Sequence, residues 1–168
     1  MTIRISDMIS DSIVDGPGLR LTVFTQGCFH NCPQCHNPQT HDPNGGKAVA
    51  ISTIIDSLAE NPLLDGITLS GGEPFEQPVP CQELAGHTHS LGLTVWLYTG
   101  YTWESLWAEG NPDRLALIKE TDVIVDGLFR AEERSLDLLF CGSKNQRLID
   151  VKKSLEANEV VLWEPKIY

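Results

Sequence analysis

Basic residues are scarce in this sequence. Lysine and arginine together number 12 against 23 aspartates and glutamates, giving a formal net charge of -11 over 168 residues. A protein that binds nucleic acid neutralises phosphates with a basic face, and docking on an anionic membrane also needs basic residues. The shortage therefore argues against both, and we expect neither a nucleic acid nor a membrane as partner.

Long apolar runs are missing as well. No segment approaches the roughly 20 apolar residues that a membrane-spanning helix needs, and residues 1–7 lack the apolar core of a signal peptide. We therefore expect a cytoplasmic protein, whose thiols stay reduced. The length suits one domain and is too short for an eight-unit barrel.

Short apolar segments rich in β-branched residues alternate with segments of helical periodicity. This alternation predicts an α/β domain with a mainly parallel sheet and right-handed crossovers. Trp103 and Trp107, four residues apart, are predicted to lie in the core. The predicted strands are residues 19–25, 67–69, 94–98, 123–125, 147–151 and 160–163. The predicted helices are residues 52–60 (with Ser52 as N-cap), 80–91, 103–107 and 114–119.

Four segments of chemical interest directly follow predicted strands. The carboxyl ends of parallel strands meet at one edge of the sheet, and α/β folds build their sites there. We therefore expect these segments to converge on one site. They begin at Cys28, Gly71, Thr99 and Asp126.

Three of the five cysteines lie within eight residues, in the pattern C-x3-C-x2-C. Cys28, Cys32 and Cys35 could ligate three corners of an iron–sulfur cubane, whose complete ligation takes four cysteines. A set of three leaves one iron open to a substrate.

The cysteines alone leave two alternatives open for this loop. A structural zinc site needs four protein ligands, so a histidine would complete it. A plain electron-transfer cluster needs a fourth thiolate. The candidate fourth ligands are His30, His36 or His41 for zinc and Cys81 or Cys141 for the cluster.

A Gly-Gly-Glu-Pro turn, residues 71–74, follows the second predicted strand. Two glycines let the backbone approach a ligand closely, and the adjacent carboxylate suits an ammonium group. Together with the cysteine loop, this turn resembles the radical S-adenosylmethionine superfamily. The resemblance implies that Cys28, Cys32 and Cys35 hold a 4Fe-4S cluster, with S-adenosyl-L-methionine (SAM) on its open iron. It further implies that the amine of SAM is contacted by Gly71, Gly72 and Glu73.

Other motifs resemble one group within this superfamily, the activases of glycyl radical enzymes. Residues 12–20 and 35–40 carry that likeness. Residues 126–129 and 142–151 resemble the branch that activates anaerobic ribonucleoside-triphosphate reductase. The resemblance implies a single radical SAM domain over residues 1–168, with the cluster loop at 27–38 after the first barrel strand. The implied fold is a partial (βα) barrel of about five to six units.

The same resemblance implies an activity. SAM would be cleaved reductively to a 5′-deoxyadenosyl radical, which forms a glycyl radical on the large subunit of the reductase. A flavodoxin-like protein would donate the electron. Asp15 would hold the incoming glycine loop. The further residues expected to bind the cofactor are His36, Asn37, Thr99, Asp126, Asn145 and Arg147.

Two positions depart from related patterns. Gln34 stands where much of the superfamily has an aromatic residue that packs on the adenine. Tyr98 stands where pyruvate formate-lyase activases have an acidic residue of a cation site. Both weigh against the pyruvate formate-lyase branch. The alternatives are that activase, a small-molecule radical enzyme such as 7-carboxy-7-deazaguanine synthase, and a non-enzymatic zinc or electron-transfer module.

Overall fold

One seven-stranded sheet carries the fold of residues 1–166, the part of the chain that this computed structural model describes. Five α-helices connect or follow its strands. The strands are β1 (Thr2–Ser12), β2 (Arg20–Thr25), β3 (Lys47–Ala50), β4 (Gly66–Gly71), β5 (Thr94–Tyr98), β6 (Val123–Asp126) and β7 (Arg147–Asp150). The helices are α1 (Ile51–Glu60), α2 (Pro78–Ser90), α3 (Trp103–Glu109), α4 (Pro112–Lys119) and α5 (Val151–Ala157).

The sheet has the order β3-β1-β2-β4-β5-β6-β7. Its four central strands, β2, β4, β5 and β6, run parallel. β1 pairs antiparallel with both β2 and β3, and β7 pairs antiparallel with β6. The predicted α/β class is confirmed. The finer prediction, a partial (βα) barrel of about five to six units, stays a prediction.

The register of the central strands brings the predicted site segments together. Thr25 at the end of β2 is paired with Gly71 at the end of β4. Tyr98 at the end of β5 is paired with Val125, next to the end of β6. The cysteine loop therefore leaves the sheet beside the glycine turn, and the segments after β5 and β6 leave at the same edge.

The two faces of the sheet differ in chemistry, because successive side chains of a strand point to opposite sides. Leu21 and Val23 of β2 join the aliphatic core that the helices cover. The intervening Thr22 and Phe24 face the other way, where Thr22 donates a hydrogen bond to Asp15 and Phe24 lines a cavity. Beside β2 the second face therefore remains available for a site, whereas an apolar cluster around Trp96 and Val125 covers that face at β5 and β6.

The helices largely begin and end as local chemistry requires. Helix α3 starts with a capping box of Thr102 and Ser105 and ends at Gly110, whose φ of 69° is left-handed. Both tryptophans of α3 belong to the core or pack against it, as predicted. Among residues 1–166, no helix has the length and apolar character needed to cross a membrane.

Some local predictions were wrong. Ser52 is not the N-cap of α1, since the helix starts at Ile51 with Ala50 as its cap. Residues 160–163 form no strand; Leu162 makes an isolated bridge to Ile149 of β7. Strands β1 and β3 and helix α5 were not predicted at all. The burial of β1 and β3 is interrupted by exposed positions, so they lack the continuous apolar runs that marked the central strands.

Candidate active site

A cavity of about 490 Å³ opens at the carboxyl ends of the parallel strands. The segments that follow β2, β4, β5 and β6 all contribute to its wall. The predicted site residues that line it are Asp15, Cys28, Cys32, Cys35, His36, Asn37, Gly71, Gly72 and Thr99.

The three clustered cysteines are free thiols along this wall. Two left-handed residues between them, Asn31 with φ 57° and Gln34 with φ 58°, turn the loop sharply. Within residues 1–166, no three histidine, cysteine, aspartate or glutamate side chains are grouped as ligands of one metal ion. Burial raises the pKa of the Cys28 thiol to about 11, so ligation there displaces a proton.

Backbone hydrogen bonds anchor both ends of the cysteine loop. Gly27 N–H donates to Thr40 O over 2.7 Å, and Cys28 N–H donates to His41 O over 3.1 Å. Inside the loop, Cys35 N–H donates to the carbonyl of Cys32 over 3.2 Å. These bonds hold the loop as a compact turn facing the cavity.

The glycine turn packs directly on the chain that leads into the cysteine loop. A Cβ at Gly71 would lie 2.5 Å from the Cα of Phe24, and one at Gly72 would lie 2.6 Å from the carbonyl oxygen of Gly27. Gly72 N–H donates to Thr25 O over 2.8 Å. Both positions therefore need glycine, because the turn passes close to the backbone of β2 and of the residues that follow it.

Glu73 is completely buried, with no exposed surface. Its carboxylate accepts hydrogen bonds from Phe75 N at 3.1 Å, Thr99 Oγ1 at 2.9 Å and Gly100 N at 2.9 Å. It also lies 2.6 Å from His30 Nε2. The side chain thus lies behind the cavity wall, among protein partners.

His30 was considered above only as a zinc ligand, yet it is central to the site. It borders the cavity and pairs with Glu73. The hydrogen bond that its ring donates to the Glu73 carboxylate raises the pKa of His30, although burial opposes the rise. Its position between two cysteines was the only sequence signal, and that signal does not reveal the partner.

A second cavity of about 580 Å³ adjoins the first and shares His30, Gly100 and Gly127 with it. Three residues predicted to bind the cofactor line this second cavity and not the first: Asp126, Asn145 and Arg147. They are engaged with protein groups. Asn145 Nδ2 donates to the carbonyl of Leu128 over 2.7 Å, and Arg147 forms an ion pair with Asp126.

Asp15 presents a fixed carboxylate to the first cavity. Its Oδ2 accepts hydrogen bonds from Ser12 Oγ and Thr22 Oγ1, and its main-chain carbonyl accepts one from Thr68 Oγ1. Thr68 Oγ1 in turn accepts a bond of 2.7 Å from Arg20 Nε. The turn that carries Asp15 is therefore held by the sheet beneath it.

The two isolated cysteines differ in location. Cys81 is buried in the aliphatic core, whereas Cys141 lines the first cavity. The loop between β6 and β7 also brings Phe129 and Gln146 to this wall. The Phe129 ring lies 4.7 Å from that of His36. Phe129 and Gln146 lie within the motifs of residues 126–129 and 142–151, but no sequence signal assigned either side chain to a cavity wall.

Known proteins resemble this chain along most of its length. Residues 14–149 match the family described as a 4Fe-4S single cluster domain. An anaerobic ribonucleoside-triphosphate reductase-activating protein from Escherichia coli is 35% identical over 144 residues, which cover 80% of this chain and 90% of the relative. The chain belongs to the anaerobic ribonucleoside-triphosphate reductase-activating protein family.

The chain is also similar to two proteins outside this activating-protein family. A pyruvate formate-lyase-activating enzyme from Clostridium pasteurianum is 30% identical over 166 residues, covering 95% of this chain and 66% of the relative. Among solved structures, QueE from Escherichia coli matches with a TM-score of 0.50 and 12% identity, over 79% of this chain and 74% of that one. The second likeness concerns the fold alone.

Proposed function

We propose that this chain is a radical SAM enzyme that activates an anaerobic ribonucleoside-triphosphate reductase by forming a glycyl radical on its large subunit. The observation that carries the proposal is 35% identity to such an activating protein over 80% of the chain. Three free thiols along one cavity, beside the glycine turn, supply the matching chemistry.

The cofactors are a 4Fe-4S cluster and SAM, and the residues fit them. Thiolates are the usual ligands of iron–sulfur clusters, and a set of three leaves one iron for SAM. Cys28, Cys32 and Cys35 would hold the cluster. When bound, it supplies the electron that splits SAM into methionine and a 5′-deoxyadenosyl radical.

We assign roles to the other wall residues as part of this proposal. The carbonyl groups of Gly71 and Gly72 would meet the amine of SAM, with Glu73 behind them. Asp15 would hold the incoming glycine segment, supported by its fixed and partly exposed carboxylate. The residues proposed to contact SAM from the loops are His36, Asn37 and Thr99, with Asp126, Asn145 and Arg147 on the side of the second cavity.

The wall also suits the exclusion of water from a reactive radical. Aromatic side chains from two parts of the chain contribute to it, namely Phe24 of β2 and Phe129 and Phe140 of the loop between β6 and β7. At these points the cavity is lined by phenylalanine rings and not by water. The hydrogen atoms of these side chains must lie away from the radical, so that the radical reaches its target.

The open sheet with helices on one face supports a shortened partial (βα) barrel in a single radical SAM domain. An opening at one side would admit a protein loop. We propose a flavodoxin-like protein as electron donor, because the cluster must be reduced by one electron. We propose a cytoplasmic location, where the thiol ligands stay reduced.

The decisive experiment combines two measurements on protein purified without oxygen and reconstituted with iron and sulfide. The EPR spectrum of the reduced protein should change on adding SAM, and the reductase large subunit should then acquire a glycyl radical signal. Bound zinc without iron would contradict the proposal, as would a SAM response without a radical on the reductase.

Cysteine variants separate the cluster types in the same experiment. Cys28→Ala should lose the cluster, whereas Cys141→Ser should load iron as the parent does. Loss of iron from Cys141→Ser would instead indicate a four-thiolate electron-transfer cluster.

A further inference from the structure

We propose that Glu73 is a positioning residue: its buried carboxylate joins the cysteine loop, through His30, to the end of β5, and it does not itself bind the amine of SAM. This inference deepens the proposed function and rests on it only for the SAM measurement described below.

The carboxylate of Glu73 has no free hydrogen-bonding capacity. An ionised carboxylate offers about four lone-pair sites, two on each oxygen. Oε1 accepts from Phe75 N, and Oε2 faces Gly100 N and His30 Nε2. The hydroxyl of Thr99 lies between the two oxygens, 2.9 Å from Oε1 and 3.0 Å from Oε2. Four protein donors therefore fill the four sites, and none remains for an ammonium group.

Burial separates the Glu73 carboxylate from both cavities. Glu73 has no exposed surface, and it is absent from the walls of both cavities. A buried carboxylate is tolerated when its partners replace the lost hydration. Opening a path to a ligand would remove those partners, so the present arrangement favours a fixed structural carboxylate.

Glu73 also connects separate segments of the site. Its main-chain N–H donates to Gly27 O over 2.9 Å, so backbone and side chain of one residue both contact the chain around Cys28. On the other side, just after β5, the Thr99 hydroxyl and the Gly100 N–H both donate hydrogen bonds to the Glu73 carboxylate. Glu73 is thus the common partner of the segments that follow β2, β4 and β5.

The His30 side chain links the Glu73 carboxylate to the cysteine loop. It lies between Cys28 and Cys32, so its position constrains the path of the loop. A Cβ at Gly100 would come within 2.6 Å of its ring, and its ring meets that of Tyr101 edge-on at 4.6 Å. Packing and the Glu73 bond together fix the ring.

The test is hydrogen exchange of residues 28–37 in the whole apoprotein, followed by SAM affinity in the reconstituted protein. Glu73→Gln keeps the shape of the side chain, but its amide nitrogen cannot accept the bonds that one carboxylate oxygen now accepts. His30→Phe keeps a ring and removes the N–H. Each variant should exchange these amides about tenfold faster or more, because a charged hydrogen bond is lost.

The two variants should act through one connection. We expect the double variant to exchange no faster than the more affected single variant, and SAM binding to weaken in all three. Glu83→Gln is the matched control, since Glu83 also pairs with a histidine, His87, but at an exposed position on α2. It should leave exchange of the cysteine loop unchanged.

Two results would overturn the inference. Normal exchange with weakened SAM binding in Glu73→Gln would mean that the carboxylate meets the ligand directly. Normal exchange with normal SAM binding would mean that the connection has no role. The exchange measurement needs no cofactor, so it remains informative if the parent protein fails to bind SAM and the proposed function fails.

Discussion

Arg147 and Asp126 form a doubly hydrogen-bonded ion pair across the last two strands of the sheet. Arg147 Nε lies 3.0 Å from Oδ1 of Asp126, and Nη2 lies 2.6 Å from Oδ2. The two residues are also register partners of β6 and β7. Oδ2 accepts a further bond of 2.9 Å from the N–H of Trp103, at the start of α3. The pair therefore joins two strands and a helix.

This geometry predicts a large stability loss when the arginine is removed. Arg147→Met should lower the free energy of unfolding by roughly 3 kcal/mol, because Asp126 stays buried without its charged partner. Arg130→Met is the control, since Arg130 pairs with Glu133 at an exposed position and should change stability by less than about 1 kcal/mol. Equal urea midpoints for the two variants would contradict the prediction.

The sequence predicted the parts of this fold that depend on local pattern. The span of β5, residues 94–98, agrees with the structure, because a continuous apolar run marks a strand buried on both faces. The cysteine spacing and the glycine turn also indicated the site edge. Both depend on short segments that follow a strand directly.

The parts it missed depend on distant pairing. Nothing near Glu73 in the chain reveals that His30 and Thr99 would surround it. Likewise, Asp126 and Arg147 were each identified as site residues, but their mutual ion pair requires the antiparallel register of β6 and β7. β7 is a short edge strand with mixed burial, so its pattern was too weak to predict that register.

His89 makes stability depend on pH at the far end of the sheet. Its ring nitrogens lie 2.9 Å from Asp122 Oδ2 and 3.3 Å from Glu120 Oε2. Burial lowers the pKa of His89, but these two carboxylates outweigh it and raise the pKa above its ordinary value. The stabilisation is therefore complete below the unfolded-state pKa of about 6.5 and is lost as pH rises through the folded-state value.

The corresponding variant is His89→Gln. Denaturant unfolding of parent and variant should differ most at acidic pH, below about 6.5, and the difference should shrink as the pH is raised. A difference that is constant with pH, or that grows toward alkaline pH, would show that the ion pairs do not contribute as described.

Arg20 is a fully buried arginine that hydrogen bonds without a carboxylate. It donates to Thr68 Oγ1, to Pro17 O, to Ile67 O and to both oxygens of Thr94. Burial lowers its pKa to about 10. Lysine has only three donors in a different geometry, so some of these acceptors would be left unpaired.

Arg20→Lys should therefore lower the free energy of unfolding by about 2–4 kcal/mol. Arg4→Lys is a matched control, since Arg4 is only partly buried and its side chain donates to the carbonyl groups of Gly45 and Gly46. We expect a smaller change there, and equal losses in urea unfolding would refute the role of the buried arginine network.

Gly72 offers a test of the contact between the glycine turn and the cysteine loop. An alanine Cβ at Gly72 would lie 2.6 Å from Gly27 O, a backbone atom that cannot rotate away. Gly72→Ala should therefore separate the two segments and reduce the iron retained after reconstitution.

In Gly86→Ala, by contrast, the new Cβ has no neighbour within 4 Å, and the position lies inside α2. That variant should retain iron fully and gain about 1 kcal/mol of stability from the better helix propensity of alanine. If Gly72→Ala loaded as much iron as Gly86→Ala, the cysteine loop would not depend on the packing of the turn, and its order would have to come from its own hydrogen bonds to residues 40 and 41.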